Sequence, residues 1–247
     1  MESVTRTSSF NSNATVLDRP RILAISLSQA HNFGPEDNTS ADLHKVIVEN
    51  SVLIHAKTKQ AVRSELANNK PDSIFIADEG IILPEYATLW QDIVAYVRER
   101  PGGIKPVLGC RFASVGMAIG VQLINSLFFV ARLPLSCGPR FNNTKYVLNE
   151  NTDYLNEVKG SRPNFKLPMN PEIREAWQLW GVKGKDTIYL ADKNSHDSTP
   201  VPASLRVAVS NSKIGNGWLG FVGCVDGGRD SLLIILSLLG IDIPFPK

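Results

Sequence analysis

Four features are scarce in this chain, and each scarcity removes a class of function. The 247 residues contain no apolar run of about 18, the length a membrane-spanning helix needs. The longest apolar run, 232-LLIILSLLG-240, has the length of a core helix. Lys and Arg total 26 against 24 Asp and Glu, a net charge of +2 with no basic block. A nucleic-acid-binding chain is expected to carry a basic stripe, so no nucleic-acid partner is expected. Three cysteines cannot all pair, which argues against an extracellular disulfide framework and gives little weight to the sequons at Asn13, Asn38 and Asn142. A reduced, cytoplasmic setting follows as the expectation. Cys-x-x-Cys pairs, a His-rich cluster, the dinucleotide fingerprint and the phosphate loop are all missing from the sequence. Neither a metal nor a cofactor is therefore expected.

At the N-terminus, 1-MESVTRTSSFNSNATVLDRP-20 has no hydrophobic signal core and too few apolar residues to fold alone. Residues 1–20 read as a flexible tail, and 21–247 as a single domain. From residue 21, branched apolar runs alternate with helical spacing. Strands are expected at 21–28, 51–58, 73–80 and 104–109, and helices at 41–50, 60–69 and 85–100. The last has apolar residues at Leu89, Ile93 and Tyr96/Val97. Such alternation predicts an α/β three-layer sandwich with a mostly parallel central sheet, its strand C-termini along one edge where ligands bind.

The second half is less regular. Segments 126–133 and 144–149 read as strands of a flap inserted around 125–170. Residues 150–170 read as mostly loop, and 171-PEIREAWQLWG-181 as a helix with Pro171 in its first position. Strands are expected at 187–191, 204–210 and 218–224, the last two joined as a hairpin through 213-KIGNG-217, and a final helix at 231–239.

The stretch 107-VLGCRFASVG-116 concentrates the chemistry. Its apolar run ends in Gly-Cys before a small-residue helical start, which puts Cys110 on a strand-to-helix elbow. There, unpaired helix N–H groups and the helix dipole favour a thiolate and could stabilise an oxyanion. The competing reading is a small residue buried under the turn. A nucleophile needs a base. His31 and His196 follow predicted strands at the same edge, and His196 is the better candidate. His44 and His55 lie within predicted elements and read as structural or surface residues. Asp78 and Glu79 follow the third strand; a carboxylate in an apolar cleft has a raised pKa and can act as acid or base, or it can simply cap a turn. Asp226, flanked by glycines after the last strand, could cap the final helix or bind a ligand. Arg111 and Arg140 could hold an anionic group, and Phe112 could line an apolar pocket.

The elbow 105-KPVLGCRFAS-114, with 74-IFIADEGI-81, 144-TKYVLN-149 and 218-WLGFVGCVDG-227, resembles the class I glutamine amidotransferase-like superfamily, which includes ThuA-like and DJ-1-like proteins. The likeness is to an uncharacterised fungal group and runs from Arg21 onward. It implies a glutamine amidotransferase-like (flavodoxin-like) fold and, through the group's setting, a role in specialised metabolism. The chain departs from the group at Asn142, where the pattern has a His, and at Cys224, where an acid is common. No His-x-Glu pair follows the late strands, so glutaminase chemistry is not expected.

The resulting expectation is a cofactor-free enzyme on a small organic molecule. Cys110 would be the nucleophile of a hydrolase or lyase, Glu79 and His196 its catalytic partners, and Asp78, Arg111, Phe112, Arg140, Asn142 and Asp226 would bind. A non-covalent isomerase or cyclase in the same cleft, and an inactive ligand-binding or scaffold protein, stand as alternatives. A homodimer is left open.

Overall fold

The computed structural model describes residues 19–28, 33–35, 41–99, 105–108, 120–142, 144–161, 165, 167–173, 175–195, 202, 205–224 and 228–242. Among the described residues, ten strands form one sheet: β1 (Arg21–Ile25), β2 (Val52–Ala56), β3 (Ser73–Ile76), β4 (Lys105–Leu108), β5 (Ser136–Asn142), β6 (Tyr146–Leu148), β7 (Glu175–Trp180), β8 (Thr187–Ala191), β9 (Val207–Ile214) and β10 (Gly217–Val222). Among the described residues, six α-helices accompany them: α1 (Ala41–Asn50), α2 (Lys59–Asn68), α3 (Ala87–Glu99), α4 (Gly120–Val130), α5 (Asp153–Ser161) and α6 (Arg229–Leu239).

The main strand order is β2-β1-β3-β4-β10-β9-β7-β5, with β8 also on β9 and β6 on β8. The pairs β1–β2, β1–β3, β3–β4 and β4–β10 are parallel. The pairs β9–β10, β7–β9, β8–β9, β5–β7 and β6–β8 are antiparallel. This overturns the expected mostly parallel, flavodoxin-like sheet: antiparallel pairings outnumber parallel ones, and the fold is α/β with a mixed sheet. Strand-helix alternation dictates parallel pairing only where a helix separates consecutive strands. Beyond α4 that alternation lapses: β5 and β6, β7 and β8, and β9 and β10 follow one another with no α-helix between, and β9 turns directly back into β10, which reverses direction.

Alternation along β1 shows how the two faces fill. Leu23 and Ile25 join a core cluster with Val62 and Leu66 of α2, Trp90 and Ile93 of α3, and Leu127 and Phe128 of α4. Ile22 and Ala24 point the other way, with Leu43 and Ile47 of α1, Tyr154 and Leu155 of α5, and Ile234 and Leu238 of α6. Helices thus cover both faces. Thr58 starts α2 by accepting a hydrogen bond from Ala61 N at 3.1 Å, and Gly240 (φ 93°) ends α6 in a left-handed cap.

Three local expectations are corrected. Residues 126–133, expected as a strand, belong mainly to α4: Ile124, Leu127, Phe128 and Ala131 are buried at helical spacing while Phe129 is 82% exposed. A short apolar run read alone cannot distinguish these periods. Residues 171–181, expected as a helix, contain β7, whose partners β5 and β9 are distant in sequence. Residues 150–170, expected as loop, contain α5, which buries Tyr154, Leu155 and Val158 beneath a polar exterior.

Candidate functional site

Register defines the site's edge. Ile25 pairs with Ile76, Ile76 with Leu108, and Leu108 with Phe221. All four strands are parallel, so β1, β3, β4 and β10 end along the same edge. The antiparallel half brings both strand starts and strand ends to this edge. Val209, early in β9, pairs with Val222, and Asn142, at the end of β5, pairs with Glu175, at the start of β7. Trp177 N donates to Gly223 O at 2.9 Å, and Ala191 N, at the end of β8, donates to Arg206 O at 2.9 Å.

Asp78 holds the edge together. It is 1% exposed and accepts from Leu27 N and Ser28 N at 3.1 Å each, from Gly80 N at 2.8 Å and from Ser26 Oγ. Four donors occupy essentially all the lone pairs of a carboxylate. Asp78 thus clamps the chain leaving β1 to the 3-10 turn Glu79–Ile82 that it caps. Gly80 permits this closeness: a Cβ there would lie 2.6 Å from Leu27 C and Ser28 N. Glu79 is the half-buried neighbour, and its Oε1 accepts from Ser28 Oγ at 2.9 Å.

Of the other expected site residues, Arg140 lies on β5 and pairs with Glu175 at 2.8 Å; Asn142 ends the same strand and is exposed. Cys110, Arg111, Phe112, His196 and Asp226, with His31, lie outside the described residues. The described chain stops at Leu108 before the elbow, at Ser195 before His196 and at Cys224 before Asp226. The structure therefore brings together Asp78, Glu79, Ser26 and Ser28, and fixes the strand ends from which the remaining candidates follow.

Two further groups stand at this edge: His55, which reads from the sequence as a structural or surface residue, and a cleft that the sequence reading did not foresee. His55, near the end of β2, packs edge-on to Phe33 (centroids 5.9 Å apart), which also meets His44 at 5.2 Å and Phe75 at 5.3 Å. Its Nε2 is buried without a hydrogen-bond partner among the described residues. Burial lowers the His55 pKa, helped by the charges of Lys57 and His44 and opposed by Asp78. The second group is a cleft of about 670 Å³ walled by Thr144, Tyr146, Asn170, Glu172, Ile173 and Asp192. Tyr146 Oη accepts from Gln178 Nε2 at 2.8 Å, and burial pushes its phenol up to about 12. Gln178 was hidden because its segment reads as helix; as part of β7 it points inward. Among the described residues, no group of three or more His, Cys, Asp or Glu could hold a metal ion.

A ThuA-like protein from Bacteroides uniformis superposes with a TM-score of 0.52 at 10% identity, covering 94% of this chain and 92% of its own. The chain shares that protein's fold. A cytoplasmic protein from Salmonella typhimurium superposes with a TM-score of 0.54 at 14% identity, covering 88% of this chain and 95% of its own. A β-galactosidase from Halorubrum lacusprofundi matches with a TM-score of 0.51 at 14% identity over 94% of this chain, which spans 31% of that enzyme's length. No protein-family model matches the chain, and no curated protein matches it. No helix among the described residues is long and apolar enough to cross a membrane.

Proposed function

We propose that the chain is an enzyme acting on a small organic molecule at the shared strand edge, with Cys110 as the nucleophile. The observation supporting this reading is the position of β4. Leu108, two residues before Cys110 in the sequence, is paired between Ile76 and Phe221 at the ends of β3 and β10. Glu79, held by Ser28, follows the end of β3. In the hydrolytic form of the reading, the Cys110 thiolate adds to a carbonyl carbon, and the bond to the leaving group breaks. Glu79 takes the thiol proton and passes it to that group, and water then cleaves the thioester to restore the thiol.

The test uses the chain's other two cysteines as internal references. Cys137 and Cys224 are buried, and burial pushes the Cys137 thiol up to about 12. Near neutral pH, iodoacetamide should modify Cys110 well before either of them, as mapped by mass spectrometry. Labelling of Cys110 no faster than the two references would sink the nucleophile.

A second reading is a non-covalent isomerase or cyclase. It is favoured by Asn142, which stands where the resembling group carries a His, and by the ordered acid and phenol of Glu79 and Tyr146 at the same edge. Under it, Cys110→Ala retains turnover while Glu79→Gln loses roughly a hundredfold, the scale of general acid–base catalysis. The covalent reading requires Cys110→Ala to be inactive.

A further inference from the structure

A second cavity lies at the opposite end of the sheet, between α3 and α4. Arg98 O, at the end of α3, accepts from Asn216 N at 3.1 Å, which ties this region to the turn between β9 and β10. That turn begins β10, whereas the proposed reaction site follows its end. The groove encloses about 670 Å³. Val94, Val130, Leu133 and Pro134 supply apolar walls, and Arg98 and Arg132 line it as well. No carboxylate is among its described lining residues. Neither arginine forms an ion pair with a described residue.

The two guanidinium groups are held in different ways. Arg98 Nη2 donates to Ala131 O at 2.7 Å, which fixes one edge of the fork at the end of α4 and leaves its other N–H groups available. Arg132 is held by its backbone. Leu133 N donates to Phe128 O at 3.0 Å and Arg132 N to Phe129 O at 2.9 Å, the Schellman ending of a helix. Its left-handed position is usually glycine, because a Cβ is strained there. Here it is Arg132, with φ 54°. The chain carries a strained backbone at a place where the side chain lines the groove. Lys70 (φ 46°) is the other non-glycine residue in this conformation among the described residues, and it does not line the groove. Phe129, also in the lining, is 82% exposed, an unusual display of apolar surface for a large ring.

We propose that this groove is a second ligand site that takes a small amphiphilic carboxylate, its alkyl or aryl body against the apolar walls and its carboxylate against Arg98 and Arg132. The volume lies in the range of small-molecule pockets, and a mostly apolar lining with a few placed polar groups is their usual composition. Charge complementarity selects an anion. The site is independent of the reaction proposed at the other edge.

The probe is decanoate, with decanol as its uncharged counterpart, each titrated against the full chain carrying the fluorescent apolar anion anilinonaphthalene sulfonate. Decanoate should displace the dye saturably, and decanol should be at least roughly tenfold weaker, because it loses the charge that faces both guanidinium groups. Arg132→Gly should be at least as resistant to denaturant as the parent, because glycine relieves the left-handed strain, yet bind decanoate roughly tenfold more weakly. Arg132→Gln, which keeps the backbone strain, should show the same loss. Lys70→Gly, at the other left-handed position, should leave affinity unchanged. Equal displacement by decanoate and decanol, unsaturable displacement, or parental affinity in both Arg132 variants would overturn the proposal.

Discussion

The two halves of the sheet handle polar atoms differently. In the parallel half, β1 and β3 bury Ile22–Ile25 and Ile74–Ile76 almost completely, and the polar work gathers where the strands end, at Asp78. In the antiparallel half, polar side chains are buried within the strands themselves: Gln178 in β7, and Ser210, Asn211 and Ser212 in β9. A parallel sheet covered on both faces favours apolar strands and sends chemistry to the loops. The other half places side-chain amides and hydroxyls inside its core, where each must find a partner or carry a penalty.

The sharpest test of this contrast is a pair of truncations. Asp78→Ala strands four donors at a buried edge and should destabilise by roughly 3–5 kcal/mol, read from denaturant midpoints. Gln178→Leu removes a buried amide whose Oε1 has no hydrogen-bond partner among the described residues, together with one bond to Tyr146. It should cost no more than about 1 kcal/mol. Equal costs would break the comparison. A smaller effect is expected at His55. Its folded pKa lies below the ordinary value of about 6.5, so the unfolded chain takes up the proton first. His55 therefore stabilises fully above that value and loses its contribution as pH falls toward the lower, folded one. His55→Gln should flatten the acid side of the stability profile measured between about pH 7.5 and pH 5. The smallest effect belongs to the exposed Arg63–Asp92 pair, 2.7 Å apart on α2 and α3. Arg63→Ala should shift stability by no more than about 1 kcal/mol, and less at high salt.

Legibility follows the same division. The strands and helices from β1 to β4 were readable because each is specified locally: a branched apolar run, then amphipathic spacing, as in α3 with Leu89, Ile93 and Val97 facing inward. The elements that misled are those whose state depends on partners far along the chain. Segment 175-EAWQLW-180 has good helix formers, but pairing with β5 and β9 decides its state. In α4, reading only 126–133 hid the spacing from Ile124 to Ala131. The position of the two carboxylates after β3 was legible because a strand end delivers them. The fourfold role of Asp78 was not, since three of its donors come from Ser26, Leu27 and Ser28, some fifty residues earlier. The cleft beside Tyr146 was equally hidden, being walled by three separate segments.

The strand β5 ends the main path of the sheet, where a row of unpaired peptide groups would ordinarily invite another chain to add itself. Its pairing with β7 slips between Cys137 and Arg140, and Pro139, within the slip, has no N–H to offer. An incoming strand would find the hydrogen-bond ladder interrupted midway, so this border resists fibrous stacking of molecules at high concentration.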